Sequence, residues 1–84
     1  MYYVYVLQSG KDKQFYTGMT SDLRKRFAEH REGIVISTRW RMPLHLIYYE
    51  AYLDRGDAQR RERYLKTGMG KRDLRKRLAG GLTG

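Results

Sequence analysis

Arg26 and His30 lie four residues apart in "SDLRKRFAEH" (Ser21–His30), and that spacing puts both on the side of a helix that is normally apolar. Projected at about 100° per residue with Leu23 at zero, Phe27 falls at about 40°, His30 at about 340° and Arg26 at about 300°. An ordinary solvated helix keeps Leu, Ile or Ala on this arc. Arg24, Lys25 and Glu29 project elsewhere. A guanidinium buried without a partner is costly. Arg26 therefore either snorkels at the edge of the stripe or lines a groove and takes an anion. "AQRRERYLKT" (Ala58–Thr67) repeats the pattern with the opposite sign. With Ala58 at zero, Glu62 falls at about 40° and Leu65 at about 340°. Arg60 and Arg63 lie off that face and Arg61 at its edge. Taken singly, Glu62 reads as a salt-bridge partner. It could also hold a divalent cation, because magnesium needs few protein ligands and keeps several waters. Tyr5 and Tyr16, taken singly, read as sheet tyrosines with a wet hydroxyl.

These residues need strands and helices to carry them. "YYVYVLQ" (Tyr2–Gln8) and "QFYTGM" (Gln14–Met19) read as strands, and the "SGKDK" between them (Ser9–Lys13) as the turn of a hairpin. Alternation puts Tyr3 and Tyr5 on one face of the first strand and Tyr2, Val4 and Val6 on the other. Thr20 or Ser21 caps the first helix, with Asp22 at its positive end, and the helix stops near Gly33. "IVISTRWRMP" (Ile34–Pro43) reads as loop, and "LHLIYYEAY" (Leu44–Tyr52) as the strongest strand. Asp54 or Asp57 caps the second helix and Gly68 stops it. "GMGK" (Gly68–Lys71) reads as an inter-helix turn, since it lacks the glycine spacing and preceding strand of a phosphate loop. "KRDLRKRLA" (Lys71–Ala79) is a third helix. The expectation is an α+β fold in the order β-β-α-β-α-α, with a three-stranded, mainly antiparallel sheet flanked by helices. One domain spans residues 1–79, and residues 80–84 form a frayed tail.

Size and composition narrow the chemistry. Eighty-four residues make one small core. There is no Cys, which excludes disulfides, thiolate metal sites and a cysteine nucleophile and suits a cytoplasmic location. The opening "MYYVYVLQ" is too short to span a bilayer and lacks the flanks of a signal peptide, so no membrane association is expected. The net charge is +9, and Arg55–Leu78 holds ten Lys/Arg against three Asp/Glu. That balance points to a polyanion, nucleic acid above all.

The triplets "YVY" (Tyr3–Tyr5) and "YTG" (Tyr16–Gly18), followed by "TSDLRKRFAEH", resemble the two defining triplets and the arginine helix of the GIY-YIG nuclease superfamily. Gly33, Thr38 and "PLHLIYYEAY" resemble its loop and third strand, and "AQRRERYLK" its glutamate helix. The resemblance covers about residues 2 to 67 and is closest to small, stand-alone bacterial members. It implies a sheet flanked by helices and divalent-metal-dependent cleavage of DNA phosphodiesters. By position, Tyr5 and Tyr16 are the two triplet tyrosines, Arg26 the helix arginine, His30 the histidine one turn later and Glu62 the metal-binding carboxylate. Tyr3 replaces the first triplet's glycine and Thr17 the second's isoleucine. No Asn occurs in the chain, whereas several members carry one after the glutamate helix. Lys66 and Lys71 are the candidates to stand in for it.

On that resemblance Glu62 would hold Mg²⁺, or Mn²⁺, to polarise a phosphate oxygen and ease departure of the alkoxide. Arg26 would grip a non-bridging oxygen. A free tyrosine ionises near pH 10, so it makes a poor base unless a guanidinium and a metal favour phenolate. Tyr16 is the favoured base, with Tyr5 orienting the water, although the two roles could be exchanged. His30 contacts phosphate or acts as an alternative acid/base group. Arg39, Arg41, Arg60, Arg61, Arg63, Lys66, Lys71 and Arg72 would track the DNA backbone without reading sequence. Trp40 either stacks on an exposed base or caps the core. Recognition of shape or ends is expected, with a protein partner as a possible source of specificity. The rival readings are a nucleic-acid-binding module without turnover and a basic structural protein.

Overall fold

The computed structural model describes residues 1–82. Strands β1 (Tyr2–Ser9), β2 (Phe15–Thr20) and β3 (Leu44–Tyr52) form one sheet in the order β2-β1-β3, and both pairings are antiparallel. Helices α1 (Leu23–Arg31), α2 (Arg55–Leu65) and α3 (Gly68–Arg77) flank it, with a short 3₁₀ turn at Arg39–Arg41. The expected element order and fold class are the ones observed.

The sheet has two differently filled faces, and alternation along β1 sorts them. Val4 and Val6 point to one side, where they join Phe15, Ala58, Leu65 and Leu74 in an aliphatic core under α2 and α3. Tyr5 and Leu7 point to the other, where Leu44, Leu46, Leu23 and Phe27 pack on them. A bulge in β3 makes this sorting possible. Val6 pairs with Tyr48 but Leu7 pairs with Leu46, so Ile47 is the extra residue. The bulge switches the alternation of β3. Leu44 and Leu46 serve the α1 side, while Tyr48 and Tyr52 pack on the α2 side.

The helix ends differ from the expected ones in instructive ways. Asp22 itself caps α1, accepting from Lys25 N at 3.1 Å, and Thr20 instead accepts from Asp22 N at 3.1 Å in the turn before it. Of the two candidates for α2, Asp54 caps, accepting from Asp57 N at 2.9 Å. "GMGK" is not a turn but the opening of α3: Thr67 caps that helix, accepting from Gly70 N at 3.0 Å. Gly70 belongs there because α3 meets the end of α2 backbone to backbone, and a Cβ at 70 would lie 2.7 Å from Leu65 Cα. Part of the loop Ile34–Pro43 is helical, in the 3₁₀ turn. Within the expected tail, Gly81 N and Leu82 N bond to Leu78 O at 2.9 and 3.1 Å, and Leu82 packs on the core. Residues 83–84 of that tail lie outside the described residues.

Candidate active site

The α1 side of the sheet is polar at its centre, and a glycine makes room for that. Tyr5 pairs across the ladder with Gly18, the glycine of the second triplet. The Tyr5 ring lies over that residue, where a Cβ would come within 2.5 Å of Tyr5 Cζ. With only hydrogen at position 18, the phenol reaches His30: Tyr5 Oη and His30 Nε2 are 3.0 Å apart. Both side chains are buried, Tyr5 at 1% exposure and His30 at 0%. On its other side His30 Nδ1 lies 2.7 Å from Thr38 Oγ1. The Tyr16 ring tilts onto the same imidazole at 5.3 Å between centroids, and Ser37 Oγ donates to Tyr16 Oη at 3.4 Å.

Arg26 completes the cluster from α1. Its guanidinium lies near the Tyr5 hydroxyl, which is the main reason its own basicity rises, and it pairs with Glu29 Oε1 at 3.2 Å. Glu29 therefore turns back toward the stripe it was expected to avoid. The Arg26 side chain remains 38% exposed. Burial raises the Tyr5 phenol above its ordinary value most strongly. The nearby Arg26 guanidinium opposes this, and Tyr16 and Glu62 add to the upward push. Burial lowers His30, and the Arg26 charge lowers it further while Glu29 acts the other way. At neutral pH the pair is thus phenol and neutral imidazole. With both groups neutral, the Tyr5 hydroxyl can donate to His30 Nε2 while His30 Nδ1–H donates to Thr38 Oγ1.

Glu62 comes from α2. Its side chain is 22% exposed and pairs with Lys66 Nζ at 3.3 Å. With the lysine 56% exposed, that i,i+4 pair is worth only about 0.3–0.5 kcal/mol, so a divalent cation at the carboxylate would displace it at little cost. Among the described residues no three His, Cys, Asp or Glu side chains group as a closed metal cage. One partly exposed carboxylate fits a hard cation that takes its remaining ligands from phosphate and water.

The basic residues expected to track a backbone are not equivalent. Arg39, Arg41, Arg60, Arg63, Lys66 and Arg72 are exposed and Lys71 is half-buried. Arg60 bonds to Asp57. Arg61 is committed elsewhere: its Nε lies 3.1 Å from each Glu50 oxygen. Glu50 also accepts from Tyr48 at 2.5 Å and from Tyr52. Burial, then the bond to Glu50, pushes Tyr52 up to about 12. Sequence reasoning missed this cluster, although Tyr48, Glu50 and Tyr52 alternate along one strand face. It also gave no role to Gly18, Ser37 or Thr38, the last two adjacent hydroxyls in the loop that closes over His30.

Comparison with known proteins agrees with this geometry. The family model described as the GIY-YIG catalytic domain matches residues 1–79. UPF0213 protein CPE1444 of Clostridium perfringens is 43% identical over 67 residues, covering 79% of this chain and 71% of that protein. UPF0213 protein SpyM50708 of Streptococcus pyogenes is 49% identical over 51 residues, 60% of this chain and 54% of the relative. The matched stretch thus spans little more than half of the streptococcal protein. The solution NMR structure of the UPF0213 protein BH0048 from Bacillus halodurans superimposes with a TM-score of 0.58 at 34% identity, covering 96% of this chain and 88% of that one.

Proposed function

The chain belongs to the GIY-YIG catalytic-domain family, and on that premise we propose that it is a divalent-metal-dependent endonuclease that hydrolyses DNA phosphodiester bonds, directed by structure or ends. The observation that carries this is the cluster at one buried phenol: Tyr5 Oη lies 3.0 Å from His30 Nε2, the Tyr16 ring tilts onto the same imidazole, and the partly exposed Arg26 guanidinium stands near them. A dry core has no use for a guanidinium at that point.

Arg26, partly exposed and held by Glu29, grips a non-bridging phosphate oxygen and stabilises the charge that spreads in the transition state. Tyr5 is sealed and hydrogen-bonded to His30, so it positions the imidazole beside the site. Tyr16 is the half-buried tyrosine of the pair, the one a water reaches, and it is the general base for the attacking water. Glu62 would hold Mg²⁺ or Mn²⁺, which would supply positive charge for a phosphate oxygen and the leaving alkoxide. Arg39, Arg41, Arg60, Arg63, Lys66, Lys71 and Arg72 steer the polyanion, so affinity falls with salt. The chemistry suits a cytoplasmic protein that works on cellular DNA, alone or with a partner that supplies specificity. No helix among the described residues is long and apolar enough to cross a membrane.

Incubating the purified protein with supercoiled plasmid, branched DNA and single strands, with Mg²⁺, Mn²⁺ or EDTA, tests the proposal. Metal-dependent nicking is expected, and Glu62→Ala should abolish it without unfolding the chain. The second reading is a binding module without turnover. The lack of Asn and the sealing of Tyr5 favour it, and tight DNA binding without products would establish it.

A further inference from the structure

The loop between α1 and β3 leaves its largest apolar side chains outside the core. Val35 and Thr38 point inward, at 8% and 0% exposure, while Ile36 and Trp40 stand out at 74% and 71%. A loop that needed a large side chain to close the core would have buried the indole. Instead Arg39 covers one side of it, with its guanidinium carbon 5.0 Å from the ring centroid. The loop is also held firmly. Thr38 is tied to His30, Ser9 Oγ donates to Arg41 O at 2.5 Å, and Gly10 N donates to Pro43 O at 2.7 Å. A fixed aromatic plate held out in solvent between two arginines is a stacking platform with little ordering entropy left to lose.

Its position says what stacks there. Trp40 is two residues from Thr38, a chain span of at most about 7 Å, or about two base steps at about 3.4 Å each. The same loop sends Ser37 to Tyr16 and Thr38 to His30. A base that meets Trp40 therefore belongs to the strand entering the candidate site. Bases within an intact duplex already stack on each other and offer no free face, whereas an unpaired base does. We propose that Trp40, backed by Arg39, stacks on an unpaired base next to the phosphate at the candidate site, so that the substrate class is DNA with a fork, flap or frayed end rather than continuous duplex. The inference rests on the reading of that site as a nucleic-acid site and adds what kind of nucleic acid it selects.

Trp40 is the chain's one tryptophan, so its fluorescence reports this position alone. In EDTA, where metal-dependent turnover is halted, a forked oligonucleotide should quench it saturably and a hairpin-closed duplex of equal length should not. Trp40→Ala should weaken fork binding about tenfold, the scale of one base–aromatic stack, and leave duplex binding within about twofold. Trp40→Phe should keep most of the fork affinity. Equal quenching by fork and duplex would overturn the inference, as would an equal loss on both in Trp40→Ala. It would also be overturned by a spectral shift that depends on protein concentration without DNA, which means a second copy covers the indole, or by a shift on anionic vesicles with none on forks. The two proposals fail separately. Selective quenching without any metal-dependent cleavage leaves the stacking platform standing and removes the nuclease. Cleavage of forks without Trp40 quenching does the reverse.

Discussion

Two clusters of the same residue types sit on opposite faces of one sheet. On the α2 side Tyr48, Tyr52 and Arg61 all spend their hydrogen bonds on Glu50. The Arg61 side chain is 28% exposed and that of Glu50 17%. On the α1 side Tyr5, Tyr16 and His30 meet beside Arg26, whose pair with Glu29 stays open to solvent at 38% and 29% exposure, while Glu62 on α2 pairs with a solvent-facing lysine. The first cluster is closed and pins β3 to α2. The second has an exposed guanidinium, a reachable phenol and a displaceable counter-ion. Residue types alone therefore do not mark a site. What separates the two is whether the paired charges are enclosed or left open to solvent.

Exchanging the two arginines in turn gives the largest expected contrast. Arg26→Ala should lower metal-dependent cleavage by about 10²–10³, the cost of removing one transition-state donor, with little change in melting temperature. Arg61→Ala should keep cleavage in the folded fraction and cost about 2 kcal/mol of stability, because a largely buried Glu50 loses its cation. Cleavage rates and urea denaturation on both variants measure this. Gly18→Ala comes next. It should displace the Tyr5 phenol and reduce cleavage about tenfold or more, besides costing about 1–3 kcal/mol from overpacking. Gly70→Ala, which crowds only the α2–α3 junction, should cost stability alone.

The pH dependence is a smaller effect with a definite sign. His30 is lowered by burial and by Arg26, so the unfolded chain binds its proton first as pH falls. Stability contributed by the neutral imidazole is intact above about pH 6.5 and is lost as pH drops through the folded value. Tyr5 is raised, so stability also falls as pH climbs past about 10, where the unfolded phenol ionises first. Urea titrations of His30→Gln against wild type should show a flatter acid limb in the variant. Smallest of all, Lys66→Met should change stability by less than about 0.5 kcal/mol and lower the Mg²⁺ concentration for half-maximal cleavage, which a metal titration reads.

Much of the site was legible because it depends on periodicity. Helical projection put Arg26 and His30 beside the apolar stripe, and His30 is fully buried there. Strand alternation assigned Tyr5 and Val4 to opposite faces. The paired triplets anticipated the family. What stayed hidden depends on contacts between distant segments. The bulge at Ile47 leaves no local mark, yet it decides which β3 residues face α2. Gly70 looks like a turn residue until α3 is seen pressed on α2. Thr38 is an ordinary loop hydroxyl until His30 is found 2.7 Å away. Glu29 escaped because projection gives a Cα direction, whereas a flexible side chain can curl back to a cation three residues earlier.

The sharpest single test is single-turnover cleavage of forked DNA by Glu62→Gln beside the wild-type chain, in Mg²⁺ and in EDTA, with thermal denaturation of both proteins. The expected result is product from the wild type only in Mg²⁺, none from Glu62→Gln, and matching melting curves. Glu62→Gln cutting at the wild-type rate would show that the carboxylate has no part in the chemistry.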